Sequence, residues 1–249
     1  GVLATLSTLG SEGTVSGRTV EDGAEAALKP DGIEIFARDI FRGRYDHFFE
    51  KEVHEAPASV RKTLVGRYVR KDRQVSFELG ETGPWAGLRR RLVDPTRPPI
   101  RRVLVTGQGT AAIAGMGVAH LLRQALAGQH IHIEAAKASE LSSGNLGAAD
   151  LGDTLVIAIS QSGTTTDTNR TVDLARKAGA WIHAIVNRRN SSLVKKSDSH
   201  IFTSDGRDIE MAVASTKAFY SQVAAGKMTA LCIADALGTL SRTAIHDEM

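Results

Sequence analysis

Residues 154–168, Thr-Leu-Val-Ile-Ala-Ile-Ser-Gln-Ser-Gly-Thr-Thr-Thr-Asp-Thr, leave few folds open to this chain. Leu155 to Ile159 is an unbroken apolar run ending at Ser160, as expected of a central strand covered on both faces of a parallel sheet. Gly163 permits a tight turn, because it has no Cβ to clash at positive φ. Thr164 to Thr168 then open a helix that continues through Val172, Leu174 and Ala175. A helix start has unpaired N–H groups and a partial positive charge, so it attracts an anion. Ser160, Ser162 and Thr165 add hydroxyl donors at that point, and Gln161 adds an amide. No lysine or arginine lies between Asp153 and Asn169, so a phosphate bound here is held by dipoles and hydroxyls. The other reading of this stretch is a capped helix whose Ser and Thr side chains only satisfy backbone groups.

The same alternation of apolar strands and helical runs extends on both sides. Expected strands are Arg102–Thr106, Ile131–Ala135, Leu155–Ile159, Trp181–Val186 and Ile201–Thr203, with helices at Ala111–Ala127, after Thr164, and from about Thr216 to Leu237. Ala138–Leu141 reads as a short turn. Strands separated by helices predict an α/β fold: a three-layer αβα sandwich around a five-stranded parallel sheet. Ligands of such sheets sit at the carboxyl ends of the strands, near a topological switch point. Upstream, Phe48, Phe49, Val53 and Ala56 recur at helical spacing, and Pro57 is expected to break or restart that helix. Trp85–Val93 reads as another short helix, and the three prolines of Asp94–Pro99 as a boundary. Residues 1–43 show little organisation beyond a short strand at Ile33–Phe36 and read as a linker or the remnant of a preceding domain. The expected layout is a linker or remnant over 1–43, a helical linker over 44–95, the α/β domain over 96–240, and a tail over 241–249.

Composition narrows the function classes. The net charge of +3 is small for 249 residues, and the arginines of Arg89–Arg91 and Arg101–Arg102 read as solvated surface, so nucleic-acid binding is not expected. Cys232 is the only cysteine, which excludes an internal disulfide and a cysteine metal cluster and fits a reducing, cytoplasmic compartment. It lies in an apolar helical run and reads as a small buried hydrophobe. No segment has the length and apolarity of a membrane span. His120, His130, His132, His183 and His200 show no zinc spacing and read as packed or surface histidines; no metal or cofactor is expected.

Two further turns are candidates to face residues 160–168. Gly107-Gln108-Gly109-Thr110-Ala111 allows close backbone approach and offers the Thr110 hydroxyl at a helix start, though Ala112 takes the place of the third glycine of a dinucleotide fingerprint. In Val213-Ala214-Ser215-Thr216-Lys217, Ser215 is placed to cap the long helix, and Lys217 stands in its first turn, where the dipole disfavours a cation. Lys217 therefore calls for an anionic partner, either a ligand or an acidic side chain such as Glu210, unless it snorkels to the surface. Glu140, at a strand-to-helix turn, either faces the site or caps a helix. Spacing alone fixes no nucleophile–base set.

Taken together, these turns resemble the sugar isomerase (SIS) domain, a flavodoxin-like α/β fold, and more closely the first of two such domains in the glucosamine-6-phosphate synthases. The resemblance rests on Ser160-Gln161-Ser162-Gly163 with Thr165-Thr166-Asp167-Thr168, on Val213 to Phe219, and on Glu50 to Pro57, which is similar to that family's linker helix. Ala138-Ser139-Glu140 and Ser191 to Val194 also match. It implies that Ser160, Gln161, Ser162 and Thr165 bind a sugar phosphate, fructose 6-phosphate or glucosamine 6-phosphate, and that Thr110, Val213 and Ser215 line the sugar. Gln108 stands where the family has cysteine, and Ala111 where it has serine, which removes one hydroxyl. The resemblance further implies a homodimer. Glutaminase and second SIS domains are expected in cis or on a separate subunit, so that this chain alone binds sugar phosphate without forming glucosamine 6-phosphate. The alternatives are a non-catalytic sugar-phosphate sensor or regulatory module, and another SIS-type isomerase or deaminase.

Overall fold

The computed structural model describes residues 2–9, 12–27, 40–144 and 146–249. The chain divides into two units, Gly1–Glu34 and Ile35–Met249. The first contains a regular hairpin that the sequence reading did not anticipate. β1 (Val2–Leu9) and β2 (Glu12–Thr19) pair antiparallel, and the short β3 (Glu25–Ala26) adds to β2. Gly13 and Gly17 dilute the strand signal of β2, whose order rests on pairing with its neighbours. The strand expected at Ile33–Phe36 lies outside the described residues.

The second unit opens with α1 (Phe48–Leu64), which runs without interruption through Pro57. The expected break does not occur. Pro57 sits on the exposed side, while Glu52, Ala56, Ser59 and Thr63 form a buried stripe against α7 (Lys217–Leu237) and the loop before it. Tertiary packing outweighs the one backbone bond that proline removes. A small hairpin follows, β4 (Val69–Lys71) and β5 (Gln74–Ser76). Its turn places Asp72 and Arg73 at φ 48° and 56°, a geometry signalled in sequences by glycine or asparagine and therefore missed here. α2 (Ala86–Val93) comes next. Two of its three arginines depart from the solvated cluster expected, Arg90 alone being exposed: Arg89 bridges Asp235 of α7 at 2.6 Å and Glu78 at 3.0 Å, and Arg91 is buried, donating to the carbonyls of Pro98 and Gly152. These side chains tie α2 to the core rather than decorate it.

The main sheet holds β6 (Arg102–Gly107), β7 (His132–Lys137), β8 (Thr154–Ser160), β9 (Trp181–Val186) and β10 (Ser199–Phe202), all parallel, in the order β10-β9-β8-β6-β7. Helices α3 (Thr110–Ala125), α4 (Ala138–Ser143), α5 (Thr166–Lys177), α6 (Ser192–Lys196) and α7 cover it. Residues 138–141, expected as a turn, belong to α4. Residues 241–249, expected as a tail, contain α8 (Arg242–Glu248), whose cap Ser241 accepts from the Ala244 N–H at 3.1 Å.

All seven residues of β8 are buried, the reason for its unbroken apolar run. Leu155, Ile157 and Ile159 point to the layer of α3 and α7, where they meet Val118, Leu122 and Leu231. Val156 and Ala158 point to the opposite layer, with Val172, Ala175 and Leu193. The fold is thus the three-layer α/β sandwich with a five-stranded parallel sheet that the alternation predicts. The connection leaving β6 runs to β7 on one side and the one leaving β8 runs to β9 on the other, so the switch point lies between β6 and β8. Cys232 is fully buried, and burial pushes its thiol up to about 12. His183 is also buried in the core, stacked on Trp85 with Nδ1 2.9 Å from Ser199 Oγ, and burial holds it down near 3.

Candidate functional site

A cavity of about 190 Å³ opens at the switch point, on the carboxyl side of β6 and β8. Three turns wall it. The turn after β8 contributes Ser160, Gln161, Ser162 and Thr165. The turn after β6 contributes Gln108, Thr110 and Ala111. The segment before α7 contributes Glu210, Ala212, Val213 and Ser215, and α7 itself contributes Gln222. Every site residue expected from the sequence therefore converges here except Glu140 and Lys217. Glu140 is exposed and pairs with Lys137 at 3.2 Å. Lys217 is buried elsewhere.

The turn after β8 is fixed from behind. Gly163 has φ +65°, and a Cβ there would lie 2.1 Å from Ser191 Oγ, so only glycine fits. Its carbonyl accepts from the Leu193 N–H at 3.0 Å and from Asn169 Nδ2 at 3.2 Å, and Asn169 also donates to the Thr165 carbonyl. The Ser191–Val194 segment is thus a buttress for the turn. Ser160 Oγ accepts from the Gly163 N–H at 2.9 Å, and Ser162 Oγ accepts from the Thr164 N–H at 3.2 Å and from Thr164 Oγ1 at 3.0 Å. Each serine spends acceptor capacity on the turn, which leaves the Ser162 O–H as a donor and lets the Ser160 O–H be shared with Thr165 Oγ1. Thr165 is the N-cap of α5 but makes no side-chain cap bond; its Oγ1 lies 3.5 Å from Ser160 Oγ. The first-turn N–H groups of α5 accordingly have no side-chain acceptor from Thr165.

The turn after β6 approaches closely. A Cβ on Gly107 would sit 2.9 Å from the Ile159 carbonyl oxygen and from the Ala111 carbonyl carbon, so glycine lets β6, β8 and α3 meet at the cavity. Gln108 Oε1 accepts from the Ser139 N–H at 3.2 Å, tying this wall to the start of α4.

The third wall departs from expectation. Ser215 does not cap α7. Glu210 does: its Oε1 accepts from the N–H groups of Thr216 at 2.8 Å and Ala218 at 3.2 Å, and its Oε2 accepts from Ser215 Oγ at 2.7 Å. Glu210 is therefore not the partner of Lys217. Lys217 Nζ instead reaches Glu55 of α1 at 2.7 Å and Asp208 at 3.1 Å. Burial works to lower its pKa, but the hydrogen bond to Glu55 and the charge of Asp208 prevail and raise it. Burial likewise works to raise Asp208, and the hydrogen bond from Ser59 with the Lys217 charge outweighs it, leaving that carboxyl below its ordinary value. Glu52 of α1 accepts from the backbone N–H groups of Met211 at 2.5 Å and Ala212 at 3.2 Å. Burial pushes the Glu52 carboxyl up. The helix read as a linker thus shapes the backbone that carries Ala212 and Val213 into the cavity.

Glu210 and Gln222 were not singled out as site residues in the sequence reading. Glu210 precedes a helix start by a loop whose path sequence does not reveal. Gln222 carried a signal that went unused: a polar side chain on the buried face of a largely apolar helix.

Fold and site define an α/β domain with a cavity of uncharged donors at its topological switch point. The SIS domain model matches residues 99–232, more than half of the chain, and the chain belongs to that family. It is 36% identical over 232 residues to the glutamine–fructose-6-phosphate aminotransferase (isomerizing) of Corynebacterium diphtheriae, covering 91% of this chain and 34% of that protein. The corresponding protein of Corynebacterium glutamicum is 35% identical over 217 residues, covering 87% of this chain and 32% of its own. Among solved structures, the C-terminal domain of glucosamine-fructose-6-phosphate aminotransferase from Francisella tularensis superposes with a TM-score of 0.69 at 27% identity, covering 82% of this chain and 53% of that one. The chain spans about a third of the length of the curated relatives it matches. Among the described residues no helix is long and apolar enough to cross a membrane.

Proposed function

We propose that the cavity binds a hexose 6-phosphate, fructose 6-phosphate or glucosamine 6-phosphate, with its phosphate at the start of α5. In this reading the chain is the first SIS domain of an aminotransferase that forms glucosamine 6-phosphate from fructose 6-phosphate and glutamine. The observation that carries it is the state of the serines: Ser160 and Ser162 accept within the turn, and the Ser162 O–H remains a donor beside the first N–H groups of α5. A dianion there gains charge-assisted bonds from neutral donors in the field of the helix dipole. Relatives named as fructose-6-phosphate aminotransferases support the sugar.

The cavity's share in that chemistry is anchoring and orientation. Among the described residues Glu210 is the one acidic or basic side chain lining it, and both of its oxygens are committed to the start of α7. Proton transfers for ring opening, ammonia addition and isomerisation belong, in this reading, to groups outside the cavity walls described. Glutaminase and second SIS domains would supply them, in cis or from a separate subunit, with the chain paired to a second copy. Titration calorimetry tests the binding. Fructose 6-phosphate and glucosamine 6-phosphate are expected to bind, unphosphorylated fructose is not, and added salt is expected to weaken binding only mildly because no cationic side chain among the described residues lines the cavity. Equal binding of fructose and its phosphate would refute it.

A further inference from the structure

One group in the cavity is left over by the phosphate site. Gln222, in the second turn of α7, is 2% exposed and lines the cavity, and its Oε1 has no hydrogen-bond partner. Among the described residues with a buried side-chain atom lacking a partner, Gln222 alone lines the cavity. A buried amide oxygen without a donor costs free energy, and a cavity wall is where a ligand can repay it. Farther along the same helix, Thr229 shows the ordinary solution for a buried polar group, donating to the Ala225 carbonyl at 2.9 Å.

The chemistry of the missing partner follows from the sign of the group. Oε1 accepts, so it calls for an O–H or N–H. A phosphate dianion offers acceptors only and cannot satisfy it. The Glu210 carboxylate at this end of the cavity is already filled by Ser215, Thr216 and Ala218. We infer that Gln222 is a specificity-determining contact, its Oε1 accepting a hydrogen bond from a hydroxyl or amino group on the carbon skeleton of the phosphorylated ligand. The inference rests on the sugar-phosphate reading and extends it. The cavity has two ends of opposite hydrogen-bonding character: donors at α5 for the phosphate, and an acceptor on α7 for the sugar.

The test uses the 249-residue chain and its Gln222→Met variant, which keeps the side-chain length and removes the acceptor. Fructose 6-phosphate, glucosamine 6-phosphate and inorganic phosphate are titrated in turn. The variant is expected to bind both hexose phosphates about tenfold more weakly and inorganic phosphate within about twofold of the parent. Its melting temperature is expected not to fall, since an unsatisfied acceptor has been removed. Gln222→Leu repeats the comparison with a different shape should the first variant fold poorly. Hexose phosphate affinity unchanged in a folded variant overturns the inference, as does an equal loss for inorganic phosphate, which marks general damage to the cavity. Failure of the parent chain to bind any hexose phosphate is a separate result: it removes the sugar-phosphate reading itself, and the inference with it.

Discussion

Three helices, α3, α5 and α7, begin at the cavity, and the last two treat the same electrostatic problem in opposite ways. Each start has unpaired N–H groups and a partial positive charge. At α7 the chain supplies its own anion: Glu210 caps the first turn, and the misplaced cation Lys217 is withdrawn into a pair with Glu55 and Asp208. At α5 there is no carboxylate cap. Thr165 makes no side-chain cap bond, and Ser160 and Ser162 each accept from the turn's backbone, Ser160 also sharing a 3.5 Å contact with Thr165 Oγ1. A helix start filled from within is a structural joint; one left open, next to a cavity and braced by Gly163, Asn169 and Ser191, is arranged for an anion from solution.

Substitutions at the two starts should therefore fail differently. The largest effect is expected at the open one. Ser162→Ala with Thr165→Ala removes two donors to a charged group, each worth about 1.5–3 kcal/mol. Affinity for fructose 6-phosphate should fall by at least about a hundredfold while thermal stability stays within about 1 kcal/mol; calorimetry and a urea melt read both. Next comes Lys217→Met, which strands Asp208 and Glu55 without their buried cation and should cost about 3–5 kcal/mol in the same melt. Loss of sugar-phosphate binding in a folded Lys217→Met chain would blur the contrast. Glu210→Ala uncaps α7 and should cost about 1–2 kcal/mol. It should also open the start of α7, seen as phosphate binding of higher stoichiometry or as no change, but not as loss of the α5 site.

The smallest effect is in pH. The Asp208 pKa is lowered in the folded chain, so ionised Asp208 contributes stability that is present above its ordinary value of 3.8 and lost as pH falls through the folded value. The stability gap between the parent chain and Asp208→Asn should thus be widest near neutrality and close as pH falls below about 4. A gap that widened on acidification would reverse the assignment of Asp208 as the paired carboxylate.

The open start was legible in the sequence and the closed one was not. Residues 154–168 carry strand, glycine turn, hydroxyls and helix in one contiguous run, so local chemistry specifies them. Thr110 and Gln108 follow a strand in the same way. The wiring of α7 joins Glu52 to the Met211 and Ala212 backbone, Ser59 to Asp208 and Glu55 to Lys217 across about 150 positions, and sequence spacing shows none of it. That distance hides the Glu55 partner of Lys217, while Asp208 and Glu210 lie within nine positions and are brought to Lys217 and Ser215 by a loop path that spacing does not show. Pro57 and Arg89 misled because packing against α7 overrode local rules.

The most direct measurement is a crystal structure of the chain with fructose 6-phosphate bound. The phosphate is expected within hydrogen-bond distance of Ser160, Ser162 and Thr165 and of the first N–H groups of α5, with Glu210 still on α7. A phosphate seated instead at the start of α7 with Glu210 displaced, or on an arginine or lysine outside the cavity, would contradict the account.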